Sequence, residues 1–145
     1  MSTITVANQI AAPVVAVFER FTDVEGSPAH VSGIKAIEKL TTGPFGLGTR
    51  WIETREVIGV TDTAEMEVTA FERTRTYTIT HHKLGARIDA QFTFEPVEGG
   101  TRVSIAFSIE GPGMPPGLLA PIEWAIAGRV RDILSQDLAD LKKSV

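Results

Sequence analysis

The stretch Val60–Ala70 reads VTDTAEMEVTA, and its odd-numbered positions Thr61, Thr63, Glu65, Glu67 and Thr69 are all polar. A period of two with one wholly polar face describes a β-strand that has water on one side and an interior on the other. The even positions Val60, Asp62, Ala64, Met66, Val68 and Ala70 are therefore expected to face inward. Similar alternation runs through the neighbouring stretches Thr49–Val57, Arg75–His81, Ala86–Glu95 and Thr101–Glu110. In the last of these Val103, Ile105, Phe107 and Ile109 share a face, and Gly99 or Gly100 supplies the preceding turn with positive φ. Consecutive strands joined by short turns make an antiparallel sheet. Such a sheet leaves one face wet and needs a cover for the other.

The flanking segments supply that cover. Thr3–Ile10 alternates, with Ile4, Val6 and Ile10 on one side of a first strand. "AAPVVAVFERFTD" predicts a short helix with Pro13 in its first turn and Val14, Val17, Phe18 and Phe21 at helical spacing. "DVEGSPAHVSG" holds at most another turn or two around Pro28–Val31, and "IKAIEKL" is a strand with Ile34 and Ala36 opposite Lys35, although Ile37 spoils the alternation. After "GPGMPPG" a long helix carries an apolar stripe of Leu119, Ile122, Ile126, Val130, Ile133, Leu134, Leu138 and Leu141. Arg131, Asp132, Gln136, Asp140 and Lys143 lie off it. The expected architecture is α+β: a seven-stranded antiparallel sheet wrapped around the C-terminal helix, with short helices after strand 1. Residues 1–145 are read as a single domain, a length at which one core buries about 68–70% of the unfolded surface.

The net charge of −4, with Lys and Arg scattered along the chain, argues against a nucleic-acid partner. Cysteine is absent, which suits a reducing cytoplasm, and the N-terminal "MSTITVANQI" lacks the pattern of a signal peptide. No run reaches the roughly 20 apolar residues of a membrane span. Three histidines at irregular spacing predict no metal site. "GPFGLG" lacks the lysine of a phosphate loop and leads into a strand, so no nucleotide cofactor is expected.

The inward surface follows from strand register. If Ile58-Gly59 is a two-residue turn, Arg55 faces Asp62, Glu53 faces Ala64 and Trp51 faces Met66 on the inner side. A loop one residue longer would instead turn Ile52, Thr54 and Glu56 inward, and the β-branched Ile58 disfavours the positive φ of the tighter turn. The shorter turn is preferred because it gives Arg55 a cross-strand partner in Asp62. Tyr77, Ile79 and His81 share another inner face, as do Ala86, Ile88, Ala90, Phe92 and Phe94. Apolar walls with a few polar groups describe a ligand pocket. Its candidate contacts are Trp51, Glu53, Arg55, Asp62, Met66, Tyr77, His81, Phe92, Phe94 and Phe107 from the sheet. Ile122 and Ile126 join them from the helix, with Met114 and Leu118 as a gate beside the cavity.

The charged cluster Glu53, Arg55 and Asp62 has three readings: an ion network that satisfies itself, an Arg55 fork for a ligand carboxylate, phenolate or carbonyl, or acid–base catalysis. Glu53, Tyr77 and His81 are the catalytic candidates, although a backbone-bonded histidine at the core edge is the plainer reading of His81. His82 falls on the opposite, solvated face. His30 either lies at the cavity mouth or caps a short helix. Trp124 packs on the N-terminal helices, lines the entrance or mediates a homodimer.

"IAAPVVAVFERFTDVEG", "GPFGLGTRW", "EVTAFERTRTYTIT", "FTFEPVEGGTRVSIAFSIE" and the closing helix, in that order, resemble the START-like (SRPBCC) superfamily with its Bet v 1-like helix-grip fold. The nearest likeness is to the bacterial polyketide cyclase/dehydrase and lipid-transport-like branch; Arg73 stands where that pattern usually has a proline. The resemblance implies a cavity between sheet and long helix for apolar or amphipathic small molecules. The activity expected is binding, with transport as an extension, of a hydrophobic or aromatic molecule. The alternatives are a cyclase, aromatase or dehydratase using inward acid–base groups, and a protein-interaction module of the same fold.

Overall fold

The computed structural model describes residues 2–57, 59–83, 85–111 and 120–145, with the last helix's side chains described from Gly128 onward. Strand β1 (Ser2–Ile10) leads into helices α1 (Val14–Thr22) and α2 (Ser27–His30). Strands β2 (Ile34–Lys39), β3 (Arg50–Val57), β4 (Val60–Glu72), β5 (Thr76–Lys83), β6 (Ala86–Val97) and β7 (Gly100–Glu110) follow, and α3 (Ala120–Ser144) ends the chain. All seven strands form one sheet in the order β1-β7-β6-β5-β4-β3-β2, every neighbouring pair antiparallel. The expected α+β architecture is the one observed.

Pro13 sits at the N-cap of α1 with φ −62°, one position before the first helical turn. There its missing N–H costs the helix nothing. The helix buries Val17, Phe18 and Phe21 against the sheet, and α3 buries Leu134, Leu138 and Leu141 into the same core. These side chains meet Trp51, Val68, Tyr77, Phe94, Val103 and Ile105. Aromatic rings organise the centre: Tyr77 stacks on Phe92 with centroids 4.7 Å apart, and Phe18 meets Phe94 edge-on at 5.1 Å.

Two bulges alter the alternation. In β2 the register shifts between Ile34 and Ala36, so Lys35 and Ala36 are both exposed and Ile37 returns to the interior. Ala36 is therefore not inward, and the imperfect pattern at Ile37 was the trace of the extra residue. In β4 the register shifts between Val68 and Ala70, which exposes Ala70 and turns Phe71 toward the core. Ile109, expected inside, is 37% exposed at the end of β7.

Gly100 opens β7 at φ +156°, and a Cβ there would run into the backbone carbonyl of Ile10. The close passage of the two strand ends at that corner requires glycine.

Candidate ligand cavity

The strand register places the polar side chains. Val57 faces Val60, Arg55 faces Asp62, Glu53 faces Ala64 and Trp51 faces Met66. The shorter connection is thus the observed one, and Trp51 and Glu53 turn into the interior at 2% and 8% exposure. Beneath them lies a cavity of about 340 Å³ between the inner face of the sheet and the helices. Met66, Ile79, Ala90, Phe92 and Phe107 contribute apolar wall from the sheet, and Val130, Ile133, Leu134 and Leu141 from α3. Phe21 and Val24 close it from the α1 side.

One wall is charged. The Arg55 Nε–H donates to Glu53 Oε2 at 2.8 Å, while Nη1 and Nη2 donate to Asp137 Oδ1 and Oδ2 at 3.2 and 2.8 Å. This bidentate fork pins α3 to β3 across the cavity wall. Gly33 lets the chain pass close by, since a Cβ there would lie 3.1 Å from Arg55 Nη1. Among the described residues, Glu53 Oε1 takes only a long contact from the Trp51 indole N–H, at 3.4 Å.

Burial opposes charge on Arg55, but the carboxylates of Asp137 and Glu53 more than offset it and hold the guanidinium protonated. Two carboxylates share that one cation. Asp137 consequently binds its proton more tightly than an ordinary carboxyl: burial favours the neutral acid, and Arg55 only partly reverses this.

The expected Arg55–Asp62 pair does not form, although the register brings the two residues opposite each other. Asp62 is exposed at the cavity rim and pairs with Lys83, whose hydrogen bond holds the carboxyl below its usual range. A water-facing lysine was the nearer partner, and the arginine fork matched a carboxylate on the helix. Tyr77 also departs from its catalytic candidacy. Its ring touches the cavity but is 1% exposed, and its hydroxyl reaches the Phe21 carbonyl at 3.5 Å. Burial pushes its pKa up, so the phenol stays protonated near neutral pH and no phenolate base is available. His81 does line the cavity, and burial lowers its pKa, leaving a neutral imidazole near neutral pH. Phe94 is a core residue behind the lining, packed on Phe18 and Phe21. His30 meets Arg20, which itself lies on the cavity wall. Met114 and Leu118 lie outside the described residues, as do the side chains of Ile122, Trp124 and Ile126.

Sequence reasoning passed over Asp137 and Phe45. Asp137 continues the spacing of Val130, Ile133 and Leu134 toward Leu141, so a carboxylate embedded in the helix's apolar stripe was the available signal. Phe45, the one aromatic of "GPFGLG", folds inward against Tyr77 at 5.0 Å and Trp51 at 6.1 Å. Among the described residues, no group of three His, Asp or Glu side chains is placed to hold a metal ion, and no helix is long and apolar enough to cross a membrane.

A family model described as "Polyketide cyclase / dehydrase and lipid transport" matches residues 1–145. No curated protein sequence matches the chain. Among solved structures, TTHA0849 from Thermus thermophilus is similar over 98% of this chain and 95% of its own, with TM-score 0.80 and 17% identity. A START superfamily protein from Mycobacterium smegmatis covers 99% of both chains at TM-score 0.75 and 15% identity. The di-domain ARO/CYC BexL from the BE-7585A biosynthetic pathway matches 99% of this chain with 46% of its own, at TM-score 0.76 and 18% identity. At such identities the likeness is one of fold.

Proposed function

The chain belongs to the polyketide cyclase / dehydrase and lipid transport family, and on that premise we propose that it binds a hydrophobic or aromatic small molecule between sheet and C-terminal helix. The observation that carries this reading is the 340 Å³ cavity, walled largely by Met, Phe, Ile, Val and Leu side chains with a few polar groups among them. Burying an apolar ligand there gains about 25 cal/mol per Å² removed from water. Binding is favoured over turnover because two of the three candidate acid–base groups are engaged elsewhere. Glu53 is ion-paired to Arg55, and the Tyr77 hydroxyl is turned to a backbone carbonyl.

Native mass spectrometry of the protein purified from its own host tests the proposal. A co-purifying small molecule is expected, and it should be lost from a folded Ala64→Phe variant that fills the cavity. A bound molecule unaffected by that substitution would place the ligand elsewhere and refute this site.

A second reading, cyclase or dehydratase chemistry, draws on His81. A neutral imidazole at the wall of an apolar cavity is suited to removing a proton α to a ketone, and BexL, described as an ARO/CYC, shares the fold. Multiple turnovers of a poly-β-ketone thioester mimic, abolished by His81→Ala, would establish catalysis. Stoichiometric retention without product would leave binding as the function.

A further inference from the structure

We propose that the charged wall of the cavity receives the protonated amine of an otherwise apolar ligand, held by the carboxylates of Glu53 and Asp137. The inference rests on reading the cavity as a small-molecule site and names the class of ligand. It differs from the reading in which Arg55 holds a ligand carboxylate, phenolate or carbonyl.

Three of the five N–H donors of Arg55 are engaged within the cluster. Its Nε–H is taken by Glu53 and both terminal nitrogens by Asp137. A ligand carboxylate would therefore put a third anion around a single, nearly buried cation, which is unfavourable where water is scarce. The acceptors, in contrast, are in surplus. Glu53 is 8% exposed, lines the cavity, and among the described residues its Oε1 holds only the 3.4 Å indole contact. Two carboxylates and one guanidinium leave a net charge of −1 against apolar walls when all three are ionised. An ammonium group brings the missing positive charge together with donors for those oxygens.

The remaining charges nearby do not pair with these two carboxylates among the described residues. Asp62 at the rim is neutralised by Lys83. Residues 112–127 contain no Lys, Arg or His, so that segment brings no cation to the cavity. Arg20, the other arginine on the wall, keeps its charge but turns Nη1 to Nε2 of His30 on α2 and, among the described residues, makes no ion pair with Glu53 or Asp137.

Three probes of one shape and different charge test the proposal: naphthylmethylamine, naphthalenemethanol and naphthoate, titrated by calorimetry at neutral pH. The amine is expected to bind at least about tenfold more tightly than the alcohol, the worth of one charge-assisted hydrogen bond, and naphthoate most weakly. Glu53→Gln and Asp137→Asn should each erase the amine's advantage while the alcohol binds as before. The ranking in the unsubstituted chain decides the question even if a variant fails to fold. An amine no tighter than the alcohol overturns the charge assignment and leaves the cavity reading standing. Tighter binding of naphthoate, lost in Arg20→Met, overturns it too and moves the polar contact to Arg20. If none of the three binds, the cavity reading falls with it.

Discussion

Arg55 is the counter-ion of two carboxylates that are themselves nearly buried: the side chains of Glu53 and Asp137 are 10% and 14% exposed. Replacing it by methionine keeps the bulk and removes the charge, which strands both acids. Arg55→Met is expected to cost about 3–5 kcal/mol of stability in urea unfolding, the usual cost of breaking a buried pair from one side. Adding Glu53→Gln and Asp137→Asn should recover a large part of it. A cost below about 1 kcal/mol would mean that water screens the cluster as it does a surface pair. A second residue holds local strain. Thr74, in the turn between β4 and β5, has φ +61°, a left-handed conformation that a β-branched side chain adopts reluctantly. Thr74→Gly is expected to stabilise the chain by about 0.5–1 kcal/mol, raising the thermal midpoint by about 2–4 °C. A lower midpoint would show that the Thr74 hydroxyl's contact with the Arg73 carbonyl outweighs the strain.

At the scale of elements, the strands that the alternation describes best are those without an irregularity. β5 and β6 place Tyr77, Ile79, Ala90 and Phe92 inward, as their period of two dictates. β2 and β4 follow the rule until a bulge, and beyond it every side chain changes face, which is why Ala36 and Ala70 were assigned wrongly. Ile37 announced the first bulge through two apolar residues at the wrong spacing. The second left no comparable mark, because Thr69 and Ala70 are small enough to suit either face. Thr69 settles outward in a hydrogen bond to Thr80, which in turn donates to Asp89. The corner between β1 and β7 is less tolerant. Gly100→Ala is expected to destabilise the chain by more than about 2 kcal/mol, since the added methyl meets the Ile10 backbone and not a side chain that can rotate away. The denaturation midpoint measures this, and a shift within about 0.5 kcal/mol would show that the strand ends can part. Leu138, at 1% exposure on α3, is the comparable test of helix docking. Leu138→Ala should cost about 2–5 kcal/mol.

For the molecule as a whole, the architecture was legible because the amphipathic periods of sheet and helix each demand a partner, and the chain offers one of each. The charged wall was legible only in part. Alternation brought Glu53 and Arg55 inward, but strand periodicity says nothing about which helix residue stands opposite, and the partner of Arg55 lies 82 positions away at Asp137. Long-range ion pairing depends on how helix and sheet dock. That docking also governs the response to acid, where His81 and Asp137 act in opposite senses. Burial holds the His81 pKa below the ordinary imidazole value of 6.5, with Glu53 and Asp62 raising it and Lys83 and His82 lowering it further. As pH falls below that value the unfolded chain takes up the proton first, so the histidine's contribution is present above about pH 6.5 and is lost on acidification. Asp137 has the raised pKa of a buried acid. Its contribution is present below the unfolded carboxyl range and is lost as pH rises through its folded value, so acidification favours the folded chain at this site. His81→Gln removes the first effect and leaves the second. The variant is expected to lose less stability than the parent between about pH 7 and about pH 5.5 in paired urea titrations, with the two chains closest at the higher pH. Parallel losses in both chains would mean that His81 is protonated in the folded state as readily as in the unfolded one, and would remove the effect of burial on its pKa from the catalytic reading.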